Sequence, residues 1–223
     1  MGLMNVLDQL LGSGGNAMGE IGRRAGGKKD LLTGAVAGGA LALLLGSKRG
    51  RSLGGTALKF GGVAALGAMA CQAYSRWQQQ QAAAKSTTAN PPAQRPVQTI
   101  DRLPPAQAEP HARAMLASLI AAAKSDGHLD ERERGQVDAE LQRLGDDPAT
   151  RQWLEAELRK PIDPAGVAAM VTTPEMAAEV YLASLIVVDD RTAMERAYLD
   201  ELARQLKLDP TLKADLEARA ASG

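Results

Sequence analysis

Residues 116–120 read LASLI, and residues 182–186 read LASLI again, 66 positions later. Downstream of each copy the matches continue at a constant offset of 62. Glu133-Arg134 answers Glu195-Arg196, Asp138 answers Asp200, and Leu144 answers Leu206. Asp147-Pro148 answers Asp209-Pro210, and Leu154-Glu155 answers Leu216-Glu217. The shift from 66 to 62 places four extra residues in the first turn of the first copy. A Leu/Ala/Glu-rich composition makes helices look alike but does not hold a constant spacing, so the pattern reads as an internal duplication. Apolar positions such as Met115, Leu116, Leu119 and Ile120 recur at helical spacing. Four steps, Asp147-Pro148, Asp163-Pro164, Thr173-Pro174 and Asp209-Pro210, place a capping side chain before a proline at the first helical position. These signals predict helices near 111–124, 131–144, 148–159, 164–171, 175–188, 192–206 and 210–220. The fold class is therefore all-α, a compact bundle of about seven helices built from two three-helix units that share one core.

Outward from that bundle the chain changes character. Its 223 residues carry 26 basic and 26 acidic side chains, but the charges are segregated. Residues 1–85 have a net charge of +7 and residues 111–223 a net charge of −7. Eighteen of the 23 glycines precede residue 68. One cysteine, Cys71, excludes a disulfide framework or a Cys-rich zinc module, and two histidines, His111 and His128, leave no His cluster for a catalytic metal. Aromatic residues make up 3% of the chain, too few for base-stacking platforms, and the acidic half argues against a nucleic-acid partner. No nucleophile–base pair can be named, so the inventory points away from an enzyme.

The glycine-rich half reads as membrane-associated, residues 1–77 forming an N-terminal region with a helical hairpin of two apolar stretches. Residues 31–45, LLTGAVAGGALALLL, and residues 60–74, FGGVAALGAMACQAY, each hold fifteen uncharged residues, about 22 Å as helix and short of the roughly 30 Å hydrocarbon core. Basic residues bracket both. Tyr74 and Trp77 stand where an interface belt would lie, and Gly34/Gly38, Gly61/Ala65 and Gly67/Cys71 repeat a small residue every four positions, the spacing that lets helices approach closely in lipid. The alternative is a soluble segment, or helices that pack on another subunit, including a second copy of the chain. Residues 78–110, with six prolines and a Gln run, read as an extended flexible linker to the helical domain at 111–223. The basic flanks set the C-terminal domain in the cytoplasm.

Each LASLI run leads into an acidic turn. The first holds Asp126, Asp130 and Glu133, the second Asp189 and Asp190. Carboxylates converging from two pseudo-symmetric turns are what a hard divalent cation (Ca, Mg or Mn) requires. The stretch from Asp126 matches only the second half of an EF-hand loop, because Ala122 and Lys124 occupy the first ligand positions, so an EF-hand is rejected. The competing reading makes Asp130 a helix cap closed by Glu133, repeated by Thr192 and Glu195.

The duplicated half, LASLI…Asp126-Gly127…Asp130-Glu131…Glu133 and LASLI…Asp189-Asp190…Glu195, resembles the TerB-like domain of tellurite-resistance proteins. The whole layout is similar to the uncharacterised bacterial inner-membrane family typified by YebE. The resemblance implies a bacterial envelope context, a stress-response role, a cation site on those acidic residues and no established enzymatic activity. The expected function is a non-enzymatic, membrane-tethered module that binds a cation and a protein partner. The alternative is a structural or interaction protein whose acidic turns are only helix caps and whose Gly-rich segments oligomerise at the membrane.

Overall fold

The computed structural model describes residues 2–8, 63–85, 98–125, 147–188 and 192–222. Eight helices cover most of these residues, with no strand among them. They are α1 (residues 3–8), α2 (Val63–Lys85), α3 (Pro105–Lys124), α4 (Pro148–Arg159), α5 (Pro164–Ala169), α6 (Pro174–Val187), α7 (Ala193–Gln205) and α8 (Pro210–Ser222). A 3-10 turn, Ile100–Arg102, precedes α3. The predicted helix at 131–144 lies outside the described residues.

The two LASLI helices, α3 and α6, form the most extensive helix pair. From Met176 to Val187 every residue of α6 is buried except Leu185, and α3 is buried from His111 to Ala122 except Arg113. A helix apolar on all sides belongs at the centre of a body, not on its surface. The other helices wrap this pair: α2, α7 and α8 lie against α6, and α4, α5 and α7 against α3. The duplication is visible in the packing. Leu154 and Leu216, matched at offset 62, are 3% and 0% exposed. Asp147 accepts the amides of Ala149 and Thr150 at 3.1 and 3.3 Å, and its counterpart Asp209 accepts the Thr211 amide at 2.8 Å. The hydroxyls of Thr150 and Thr211, which donate to the same carboxylates at 2.6 and 2.5 Å, and after them these amides, hold both carboxyls below the usual range.

Helix α7 ends on Lys207 at φ 54°, with Leu208 N donating to Ala203 O and Lys207 N to Arg204 O, both at 3.1 Å. This is the Schellman geometry, in which glycine is the unstrained residue. The matched position of the first copy is Gly145. Lys207→Gly is therefore expected to stabilise the protein by about 1 kcal/mol in urea unfolding, and a destabilisation would contradict the assignment.

The structure differs from the sequence reading upstream of residue 111. Helix α2 takes in residues 63–74 of the second apolar stretch and runs on past residue 77 to Lys85, and its apolar face is seated on α6 and α8. Val63, Leu66, Ala70, Ala73 and Tyr74 are buried there. The second limb of the expected membrane hairpin is thus covered by protein, and eight residues assigned to the linker belong to α2. The linker is shortened at its other end too. Pro105 starts α3, and Pro110 is carried inside the helix, where it forgoes one backbone bond, to Ala106. Among the described residues no helix is long and apolar enough to cross a membrane. The first stretch, 31–45, lies outside them.

Candidate functional site

The residues assigned to the cation site, Asp126, Asp130, Glu133, Asp189 and Asp190, lie outside the described residues, as do Gly34, Gly38 and Gly61. Among the described residues no group of three or more His, Cys, Asp or Glu is placed to hold a metal ion. The neighbouring Glu195 is described, and it is a cap. Its amide receives Thr192 Oγ1 as acceptor at 3.1 Å, while its Oε2 accepts the Thr192 amide at 2.9 Å and the Thr192 hydroxyl at 2.8 Å. This is the reciprocal capping box expected of Thr192-x-x-Glu195, worth about 1 kcal/mol. Glu195 is 5% exposed, its carboxylate held by its own helix start.

Gly67, Tyr74 and Trp77, expected at a membrane interface, are on α2. Gly67 and Tyr74 are buried against the helical body, and Trp77, half-buried, meets Tyr74 with ring centroids 5.4 Å apart. Burial pushes the Tyr74 phenol up; a hydrogen bond with Gln78 pulls the other way, and the nearby Glu175 charge adds to the rise. Polar groups trim the edges of this seat: Arg219 to Gln72 at 3.4 Å, Arg76 to Asp215 at 3.9 Å and Gln81 to Asp209 at 3.5 Å. These are long contacts at partly exposed sites, and the apolar face supplies most of the docking energy.

The start of the chain returns to the same body. Glu109 on α3 accepts the amides of Leu3 at 2.6 Å and Met4 at 3.4 Å, so its carboxylate caps α1. A Cβ at Gly2 would stand 2.6 Å from Glu109 Oε2, so a larger residue there would push that carboxylate from its place over α1. Leu3, Val6 and Leu7 are buried.

Three features were not singled out from the sequence. Glu179, the one acid in the apolar run of α6, is fully buried and bound to the Ile100 amide at 3.0 Å, with His111 beside it. A lone carboxylate amid MAAEVYLASLIV (176–187) was the available signal. Arg113 lies 5.3 Å from the centroid of the Trp153 ring, a cation–π contact between α3 and α4. A cleft of about 200 Å³ opens between α3, α4 and α5, with Ala117, Ile120 and Val167 as its floor and Lys124, Glu157 and Lys160 on its rim. The rim is knitted together: Lys124 Nζ donates to the Lys160 carbonyl, and Lys160 pairs with Glu157 at 2.5 Å.

Tyr198 on α7 is buried and directs its hydroxyl to the Ser118 carbonyl at 3.4 Å. Burial pushes its phenol up to about 12 from 10.0. Because the neutral form is the buried one, its contribution to stability is complete below pH 10 and is lost as the pH rises from 10 through 12. The loss is about 2–3 kcal/mol. Tyr198→Phe is expected to flatten that alkaline limb, read by denaturant unfolding across pH 9–12.

The profile of a protein family described as "Protein of unknown function (DUF533)" matches residues 30–220. The chain belongs to this family. The DUF533 match takes in part of the glycine-rich half, from residue 30, as well as the helical body. The chain is 29% identical over 103 residues to a Yersinia enterocolitica protein described as "Uncharacterized protein in ampR 5'region". That match covers 46% of this chain and 74% of the relative. No solved structure matches.

Proposed function

We propose that this DUF533 protein is a non-enzymatic, membrane-associated module of the bacterial envelope, TerB-like in its helical body and YebE-like in its layout. Its role is to dock a protein partner, and its acidic turns bind a divalent cation. The observation that carries the membrane reading is that the chain leaves the helical body and comes back to it. Helix α1 is held by Glu109 on α3, and α2 is seated on α6 and α8. Residues 9–62 between them hold eight basic and two acidic side chains and the uncharged run 31–45. With both ends fastened to one body, a single crossing by 31–45 would leave the two ends on opposite sides of the bilayer. Association from one side fits better, through apolar contact plus attraction of the basic flanks to anionic headgroups. Basic flanks also favour the cytoplasmic leaflet of the inner membrane.

Flotation of the full chain with phosphatidylglycerol-containing vesicles tests this. Binding is expected at low salt, weaker in 0.5 M salt, and lost in Leu41→Asp/Leu44→Asp. Equal flotation of that variant, or none of the wild type, would remove the membrane from the reading. The cation is tested separately, by calorimetry with Ca²⁺, Mg²⁺ and Mn²⁺ and with Asp126→Ala and Asp189→Ala. A second reading, an interaction scaffold whose acidic turns only cap helices, is favoured by the capping box at Thr192 and Glu195. Absence of binding heat in the calorimetry would select it.

A further inference from the structure

The chain has two apolar stretches, 31–45 and 60–74, and a helical body that is itself built twice. On the second repeat, α2 lies along α6 and α8. The matching pair of the first repeat is α3 and α4, and the short helix packed beside them on α3 is α5. Helix α5 has six residues where α2 has 23, so it fills far less of a groove. What it leaves open is the cleft of about 200 Å³ between α3, the end of α4 and α5. The correspondence holds residue by residue. Ala117 and Ile120 on the cleft floor answer Ala183 and Ile186 of α6 at offset 66. Glu157 on the rim answers Arg219 of α8 at offset 62, and Arg219 is where α2 arrives with Gln72, at 3.4 Å. The cleft is thus the first repeat's version of the α2 seat.

The chemistry of the cleft selects its occupant. An apolar cavity of about 150 Å³ already takes up a benzene ring, so this one has room for a leucine side chain or more. Its rim carries two ammonium groups, Lys124 and Lys160, and two carboxylates, Glu157 and Asp163, which leave no net charge. Lys160 is paired with Glu157 at 2.5 Å and Lys124 is bonded to the Lys160 carbonyl, so the rim suits an uncharged occupant better than an ion. Apart from the stretch in α2, the longest uncharged run of the chain is the one that holds residues 31–45, with Leu41, Leu43, Leu44 and Leu45 at its end. Its tethers start at α1 and end at α2, both fastened to the same body. Those tethers, residues 9–30 and 46–62, are 22 and 17 residues long and can span at most about 70 and 55 Å. A body of this size is about 35 Å across, so the stretch reaches the cleft from both ends. Tethering also keeps it at an effective concentration of about a millimolar, above that of a second copy in dilute solution.

We propose that the cleft between α3, α4 and α5 is the docking site of residues 31–45 of the same chain, the counterpart on the first repeat of α2 on the second. Its consequence rests on the membrane reading above. One apolar stretch cannot occupy the cleft and the bilayer at once, so docking holds residues 31–45 off the membrane, and whatever fills the cleft frees them to bind it.

Paramagnetic broadening in the full chain, without vesicles, tests the docking. In Cys71→Ser/Ile162→Cys a nitroxide is carried at residue 162, between Pro161 and Asp163 of the cleft wall. It is expected to cut the amide signals of 31–45 to less than a third of their diamagnetic intensity. Adding Ala121→Trp, which fills the cleft from its floor, is expected to restore those signals and to raise flotation with phosphatidylglycerol-containing vesicles at least threefold. Undiminished signals, or the same loss with the cleft filled, would overturn the proposal. So would broadening of an isotope-labelled chain by a separate nitroxide-bearing one, which would make a second copy the occupant. Should Ala121→Trp not fold, Met170→Trp fills the cleft from the α5 side. Broadening without flotation of any variant would uphold the docking and remove the membrane reading alone, whereas flotation without broadening would do the reverse.

Discussion

Leu182→Ala is expected to cost about 2–5 kcal/mol, among the largest single-residue effects in the molecule. Leu182 is 0% exposed at the centre of α6, and the void left by its truncation is walled by α3, a helix that is itself buried on nearly every side. Neither helix can collapse inward without unseating its other neighbours, so the cavity stays largely open. The matched residue of the other repeat, Leu116, is 1% exposed and is expected to behave alike. Leu185, also in the pentapeptide, is only half-buried, and Leu185→Ala should cost distinctly less. Urea unfolding followed by circular dichroism gives the ranking. A Leu185→Ala cost equal to that of Leu182→Ala would contradict the central pairing of α3 and α6.

The second large effect belongs to α2. Leu66 is 1% exposed against the helical body, so Leu66→Asp removes a buried side chain and puts a carboxylate in its seat. Truncation alone costs about 2–5 kcal/mol, and an unpaired buried charge adds several more. The chain has a less costly response, because the polar contacts of Gln72, Arg76 and Gln81 at the edges of α2 are long. The helix is expected to leave its seat, which caps the destabilisation of the rest at the docking energy of α2. Hydrogen exchange should show protection lost over 63–85 and retained over α7. Gln79→Asp, at an exposed site of the same helix, should change stability by less than about 0.5 kcal/mol. Retained protection of 63–85 in Leu66→Asp would mean that α2 is not held by this face.

Much of the helical body was legible in the sequence because its signals are local. The Asp147-Pro148 and Asp209-Pro210 steps cap their helices through amides two residues on, whereas Asp163 before Pro164 makes no side-chain cap bond. The helices predicted at 148–159 and 210–220 match α4 and α8 within two residues. The Thr192/Glu195 box was likewise readable, since both of its partners lie within one turn. The start of α3 was misread because proline suggests a break. Pro104 and Pro105 instead stand at a helix entry, where the missing amide has no partner to lose. Of the candidate site residues, the acidic turns lie outside the described part of the chain. Glu179 and His111 passed unnoticed because 68 residues separate them. No local pattern announces a pair made by two different helices.

By itself the sequence determined the duplication, the helical class, the caps and the opposite charge of the two halves, all of which depend on neighbours a few residues away or on counting. Only the tertiary structure decided where α2 goes and what Glu179 holds. The hydrophobic effect is non-directional: an apolar helix face with Leu66, Ala70 and Ala73 on one side is satisfied equally by lipid or by protein. Which of the two covers it depends on whether another surface of matching shape is within the chain's reach, and here α6 and α8 provide one.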